Sequence, residues 1–396
     1  MAAPGTSRDH GGTPASAPSK LWRGAEVLLA GVAVFYASLT VVAAVGLVST
    51  PYQFNYEEGN ILNAGVRIIQ GQNPYPNPQQ WPVVLNPYGP MAYYATAAVT
   101  RITGLSFTGP RLMIVASGVI ASALIALLLL EWGCGVPAAI AFGAMFLWVP
   151  TAVEWLPVLR VDFIGLAATL AGIYVLERWP RWWLLAAVLF TAAIAAKPTF
   201  IAAPAAVVLH AVAQTRGRDA LRIAAATVTV TSVIFVTITL LTHGAFSFHL
   251  FRTHPDPYSW EVLGQNLREI AVAQLPAIVL ALVLLVHSVR HRRLSLPLAY
   301  LFLALLTTCV TAGKAGSDTN HLLEVTAVLC LAGGLGWNSI VSEKRQPAFA
   351  ILAALALVTF LVWQYRPLAP RGRNGCEQAY NYLRTHGERI LSEDVG

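Results

Sequence analysis

Eleven apolar runs, each near the length of a membrane-crossing helix, are strung along this chain with short polar segments between them. They fall at 24–49, 109–130, 136–152, 162–177, 182–196, 199–214, 222–242, 269–287, 296–312, 322–340 and 347–364. Roughly 20 apolar residues cross the hydrocarbon core as a helix. In lipid the backbone polar groups must be satisfied within the segment, and no alternating barrel pattern is present. The predicted fold class is an all-α polytopic membrane protein with about 11 transmembrane helices. Composition agrees, because 56% of the 396 residues are hydrophobic, 11% are charged and the mean hydropathy is +0.60. An ordinary soluble domain is roughly 25% charged.

A formal charge of +7 raises the question of an acidic partner such as nucleic acid, but its distribution answers a question of topology. With eleven spans, Arg8, Lys20, Arg23, Arg178, Arg181, Arg216, Arg218, Arg222, Arg290, Arg292, Arg293, Lys344 and Arg345 all fall on one side. The positive-inside rule puts that side, and the N-terminus, in the cytoplasm. The longer loops 50–108 and 243–268 then lie outside, with the polar segments around Glu154–Asp162, Lys197 and Lys314–Glu324. Three regions are expected. Residues 1–23 have the Gly/Pro/Ser/Ala bias of a disordered cytoplasmic tail, and the apolar run after Trp22 is too long for a signal peptide. Residues 24–364 form the membrane module, with juxtamembrane helices in the external loop 50–108. Residues 365–396 read as the start of an external soluble domain, truncated after a helix and the beginning of a strand that has no partner. The four cysteines have no metal spacing, and no essential disulfide is expected.

The chemistry-bearing residues gather in the external segments. Glu57 and Glu58 open the stretch ILNAGVRIIQG, whose Ile61, Leu62, Gly65, Val66 and Ile69 recur at helical spacing. Acids at a helix N-terminus complement its dipole. Adjacent acids project in different directions, so one can cap while the other faces a cavity and accepts a proton from a hydroxyl. The following NPYPNPQQWPVVLNPYGPMAYY, with Trp81, Tyr88, Tyr93 and Tyr94, reads either as an interfacial aromatic belt or as a lid over an isoprenoid chain or sugar ring. Asp162 enters the membrane beside Arg160, an acid that is costly there unless paired or functional. Lys197 stands before the helix-breaking Pro198, placed either to snorkel or to hold an anion. His243, His249 and His254 lack a compact metal pattern. Lys314, Ser317, Asp318, Asn320, His321 and Glu324 crowd one turn, which reads either as an ordinary polar turn or as a pyrophosphate or sugar-hydroxyl contact.

Taken in order, YEEGNILNAGVRIIQGQNPYP, NPYGPMAYY, GPRLM, LRVDFIGL, AAKPTF and GKAGSDTNHLLE resemble the GT-C superfamily of integral-membrane glycosyltransferases. The likeness is nearest to family 39-like bacterial proteins related to protein O-mannosyltransferases and lipid A aminoarabinose transferase, and it covers nearly the whole membrane region. The resemblance implies a GT-C-type bundle and inverting transfer of a sugar from a polyprenyl-phosphate lipid donor to an acceptor hydroxyl. The acceptor would be an envelope glycan, lipid or protein, on the external face of the bacterial inner (plasma) membrane. It implies Glu57, Glu58 and Asp162 as catalytic, Lys197, Arg160 and Lys314 as ligands of the donor phosphate, and Tyr88, Tyr93, Asn320, His321 and Glu324 as substrate contacts. Glu57 stands where the family usually has Asp, so the base is Glu57 or Glu58. No metal site is assigned from the sequence; a divalent cation, Mg or Mn, stays open, with Asp162 as the residue that would bind it. Besides membrane lipids no further partner is implied, and none is nucleic acid. The alternatives are a lipid or sugar transporter or flippase, and a catalytically inactive GT-C-like accessory protein. The chain has no internal repeat with paired, broken helices of the kind transporters use.

Overall fold

The computed structural model describes residues 20–80, 84–252, 257–342 and 347–364, with three single positions beyond them. Most of the N-terminal tail, Trp81, His254, Asp256, Lys344, Arg345, Cys376 and nearly all of the C-terminal segment lie outside the described residues. Sixteen α-helices follow one another among those residues. They are α1 Lys20–Leu47, α2 Tyr56–Ile69, α3 Pro90–Thr103, α4 Thr108–Glu131, α5 Val136–Trp148, α6 Pro150–Trp155, α7 Asp162–Arg178 and α8 Trp183–Ala196. Then come α9 Ala202–Ala213, α10 Gly217–Leu241, α11 Ala245–Phe251, α12 Trp260–Ala273, α13 Leu275–Arg290, α14 Leu296–Thr311, α15 Leu323–Ser342 and α16 Pro347–Gln364. Every apolar run read from the sequence contains a helix. Among the described residues α1, α4, α10 and the stretch Thr319–Val341 are each long and apolar enough to cross a membrane alone, and shorter apolar helices fill the other runs.

Prolines set where the helices begin and end. Pro150 ends α5 and starts α6, and Pro198 opens a 3₁₀ turn between α8 and α9, because proline lacks an N–H and clashes with the preceding turn. The run expected at 269–287 begins instead at Leu275. Gln274 and Pro276 break it there, so α12 meets α13 at 84°. Between α1 and α4 of the bundle, α2 and α3 pack on each other, α2 burying Ile61, Ala64 and Gly65.

Small residues bring the helices together, as expected where lipid supplies no hydrophobic drive between them. α1, which buries Ala33, Ala37 and Ala44, packs along α5, and α13 packs along α15. At that second contact a Cβ on Gly336 would collide with the carbonyl oxygen of Leu280. The outward faces carry the lipid-facing apolar side chains, such as Val42, Leu240 and Leu241.

Gly336→Ala should therefore push α13 from α15 and cost about 1–3 kcal/mol, the usual toll of overpacking. Thermal unfolding in detergent checks this against Gly31→Ala, where nothing lies within 4 Å of the added methyl and no loss is expected.

Candidate active site

Three segments converge where α2 begins. Asn55 caps that helix, its side-chain oxygen accepting the Glu57 N–H at 3.1 Å, while the Glu58 carboxylate reaches back to the Asn55 N–H at 3.4 Å. Glu58 is fully buried and fully used. Arg111 of α4 donates to it twice, from Nε to Oε1 and from Nη2 to Oε2, each at 2.8 Å. The Leu159 N–H adds a third bond to Oε1 at 2.7 Å, and the Phe54 N–H bonds Oε2. Arg111 in turn donates to the carbonyls of Thr50 and Tyr52 and lies against the rings of Phe54 and Phe107.

Glu57 is its opposite. It is 3% exposed, and its Oε2 accepts no hydrogen bond among the described residues. Arg160 stands nearby, because the same Asn55 oxygen that caps Glu57 accepts from Arg160 Nη1 at 3.1 Å. The guanidinium lies 5.6 Å from the Tyr88 ring centre and 5.5 Å from that of Trp155, and its Nε is buried without a partner among the described residues. Burial works against the Arg160 cation, but Tyr88, Asp162 and Glu57 outweigh it and leave the pKa above its ordinary value. Burial likewise pushes the Tyr88 phenol well up against the pull of Arg160, helped by the charges of Glu57 and Asp162.

At the first turn of α7, Asp162 is also buried. Its Oδ1 takes Lys197 Nζ at 2.8 Å and its Oδ2 takes Asn320 Nδ2 at 3.1 Å. The other amide atom of Asn320, Oδ1, has no partner among the described residues. Asp162, Lys197, Asn320, His321 and Glu324 line one narrow pocket with Thr199, Thr307, Thr308 and Thr311. Glu324 accepts the Tyr300 hydroxyl at 2.8 Å. Beside this pocket Thr319 accepts from Trp155 Nε1 and donates to Glu154.

The proline-aromatic loop is fastened from within. Tyr93 accepts the Tyr88 N–H, Tyr75 donates to the Tyr88 carbonyl, and the Gly89 N–H bonds the Ala196 carbonyl at 3.2 Å. A Cβ on Gly89 would strike the carbonyl of Ala195. His249 of α11 closes the loop from the other side. Its Nδ1 accepts the Asn86 N–H at 3.2 Å and its Nε2 meets the Pro76 carbonyl at 2.7 Å, which requires the neutral ring with the proton on Nε2.

The structure thus gathers most of the residues singled out in the sequence and separates a few. Glu57, Arg160, Tyr88, Asp162, Lys197, Asn320, His321 and Glu324 belong to one end of the bundle. Tyr93 is a buried brace beneath Tyr88. Lys314 is exposed on a turn whose backbone pairs with Tyr258, and it does not line the Asp162 pocket. Sequence reasoning gave no part to Arg111, Asn55, Asn86 or Thr319; only the motif GPRLM signalled Arg111. Among the described residues no three of His, Cys, Asp and Glu converge to hold a metal, and both Asp162 oxygens are occupied. That donor set does not fit a divalent cation, and no step is derived through one.

No family model and no curated protein matches the chain. Solved structures do. ArnT from Cupriavidus metallidurans in the apo state aligns with a TM-score of 0.62 at 14% identity, over 83% of this chain and 62% of that one. The same protein bound to undecaprenyl phosphate gives 0.61 at 15% identity, over 90% and 73%. The apo oligosaccharyltransferase of Archaeoglobus fulgidus gives 0.56 at 11% identity, over 92% and 60%. All three are GT-C superfamily structures, and this chain has their membrane fold. It spans 62% of the length of the apo ArnT.

Arg111→Leu should cost about 3–5 kcal/mol by leaving the buried Glu58 carboxylate without its cation, held only by backbone N–H groups. Glu57→Gln, which neutralises a carboxylate whose Oε2 has no partner among the described residues, should unfold no earlier than wild type in the same thermal scan. The His249 brace gives a pH dependence. Burial lowers its pKa from the ordinary value of about 6.5, against the Pro76 carbonyl that raises it. The brace therefore contributes fully above that ordinary value, and its contribution is lost as pH falls through the lower folded value. The unfolding temperature should drop from pH 7 to pH 5, and His249→Gln should flatten that slope.

Proposed function

We propose that this chain is an inverting glycosyltransferase that moves a sugar from a polyprenyl-phosphate donor to an acceptor hydroxyl at the external membrane face. One observation carries the reading: among the described residues a buried carboxylate oxygen with no donor, Glu57 Oε2, and a buried guanidinium N–H with no acceptor, Arg160 Nε, belong to two residues that both hydrogen-bond the side-chain oxygen of Asn55. Each unmet group costs about 1–3 kcal/mol of desolvation. A ligand that offers both an O–H to give and an anionic oxygen to receive satisfies the pair. An acceptor hydroxyl and a lipid phosphate supply those two functions. The GT-C fold supports the same reading, as does the undecaprenyl phosphate held by one structural neighbour.

In the proposed reaction Glu57 takes the proton from the acceptor hydroxyl. The freed oxygen forms its bond to the anomeric carbon from the face opposite the leaving group, and the bond from that carbon to the phosphate oxygen breaks, inverting the centre. The electron pair leaves with the lipid phosphate, whose charge Arg160 receives and Lys197 supports. Asp162 holds Lys197 in place, and Asn320 offers its bare Oδ1 to a sugar or acceptor hydroxyl. Glu58 supports the fold and takes no part in the chemistry, which makes Glu57 the base of the pair.

The test is transfer from radiolabelled polyprenyl-phosphate sugars in membranes that express the protein at matched levels. Glu57→Gln should lower the rate by about 10²–10⁴-fold, the range of a lost general base. A Glu57→Gln variant with the wild-type rate would overturn the assignment of the base. Movement of labelled donor across the membrane without turnover would replace the transferase reading with transport.

A further inference from the structure

α7 runs from Asp162 to Glu177, about 22 Å at 1.5 Å per residue, so its last turn lies at the far end of the bundle from the site above. There a cavity of about 780 Å³ opens among the last turns of α9, α13 and α15 and the start of α14. Its polar lining includes His210, His287, His291, Arg293, Ser295 and Asn338, and Glu177 is its one carboxylate. Glu177, His210 and Leu296 also line a second chamber of about 410 Å³, into which Arg181, Arg216 and Arg222 bring positive charge. Asp219 in that chamber is already held by Arg216 and Arg222.

The positive-inside rule requires basic residues at this end but does not require them to line a concavity. Here they do, between the aliphatic walls of Leu284 and Leu335. His287 and His291, one turn apart on α13, set their rings 4.4 Å apart, and Ser295 buries a hydroxyl that has no partner among the described residues. N–H and O–H donors gathered around Arg293, with three more arginines lining the adjoining chamber, call for a ligand rich in acceptor oxygens, and the aliphatic walls call for one that carries a hydrocarbon tail. The volume falls within the roughly 300–1,000 Å³ of ligand pockets.

We propose that this crevice is a phosphate-ester site, filled in the membrane by the headgroup of an anionic phospholipid of the leaflet on that side. Arg293, His287 and His291 take the phosphate oxygens, Ser295 adds a hydroxyl, and the acyl chains leave along Leu284 and Leu335. The site is independent of the transfer reaction proposed above.

Native mass spectrometry of the full chain in neutral detergent, with equal phosphatidylglycerol and phosphatidylcholine added, tests it. Phosphatidylglycerol should be retained about tenfold more, a difference of roughly 1.4 kcal/mol. The double variant His291→Ala/Arg293→Ala changes two exposed residues and should abolish that preference. Arg290→Ala/Arg292→Ala removes at least as much charge beside the cavity without touching its lining, and should keep it. No preference in the wild type, or equal loss in both double variants, would overturn the site. Inorganic phosphate and glycerol 3-phosphate serve as soluble arms in a thermal-shift assay. Stabilisation by either that matches the lipid's and depends on His291 and Arg293 would overturn the lipid as occupant.

Discussion

A single buried ion pair, Glu58 with Arg111, holds the geometry on which the candidate site depends. Two charges taken out of water repay their desolvation only when every lone pair and proton is matched. Here they are matched: the carboxylate receives both arms of the guanidinium and three backbone N–H groups, and the guanidinium also reaches two carbonyls. The pair ties the segment before α2, the head of α4 and the segment before α7 into one body. It therefore decides the fate of the neighbouring acid. With Glu58 committed to architecture, the start of α2 holds Glu57 buried with its Oε2 unpaired among the described residues.

That contrast separates scaffold from site. Around the site most buried polar side chains are hydrogen-bonded, down to Thr319 bridging Trp155 and Glu154. Among the described residues several polar atoms at the same end of the bundle are not, Asn86 Oδ1 among them, and three sit on residues of the candidate site: Glu57 Oε2, Arg160 Nε and Asn320 Oδ1. One is an anionic acceptor, one a cationic donor and one a neutral acceptor. They belong to a first-loop residue, a second-loop residue and a residue at the start of α15, so three distant segments each bring an unmet group to the same end. Folding has left these groups open, and in the proposed reaction a hydroxylated, phosphorylated ligand completes them.

Much of this was legible in the sequence, for a physical reason. Lipid forces the chain to satisfy its own backbone in long apolar helices, so the runs could be counted and their proline breaks located. The gathering of Asp162, Lys197 and Asn320 followed from the order of the polar segments. The choice between Glu57 and Glu58 did not, because adjacent residues on a helix differ only in direction. The residues that decide between them, Arg111 and Leu159, lie 53 and 101 positions along the chain. The run at 269–287 reads as one span in the sequence, and the break at Gln274 and Pro276 with its 84° angle comes only with the structure. His249 looked like one of several scattered histidines until α11 brought it against Asn86 and Pro76.

The bond from the Gly89 N–H to the Ala196 carbonyl joins main chain to main chain, one residue before Lys197. The loop bearing Tyr88 is thus docked onto α8 through main-chain atoms that every residue type except proline possesses, and the bare Cα of Gly89 is the side-chain requirement at the contact. Position and display are separated. Substitutions in the loop that keep Gly89 and leave the braces of Tyr75, Tyr93, Asn86 and His249 in place therefore keep its anchorage beside Lys197.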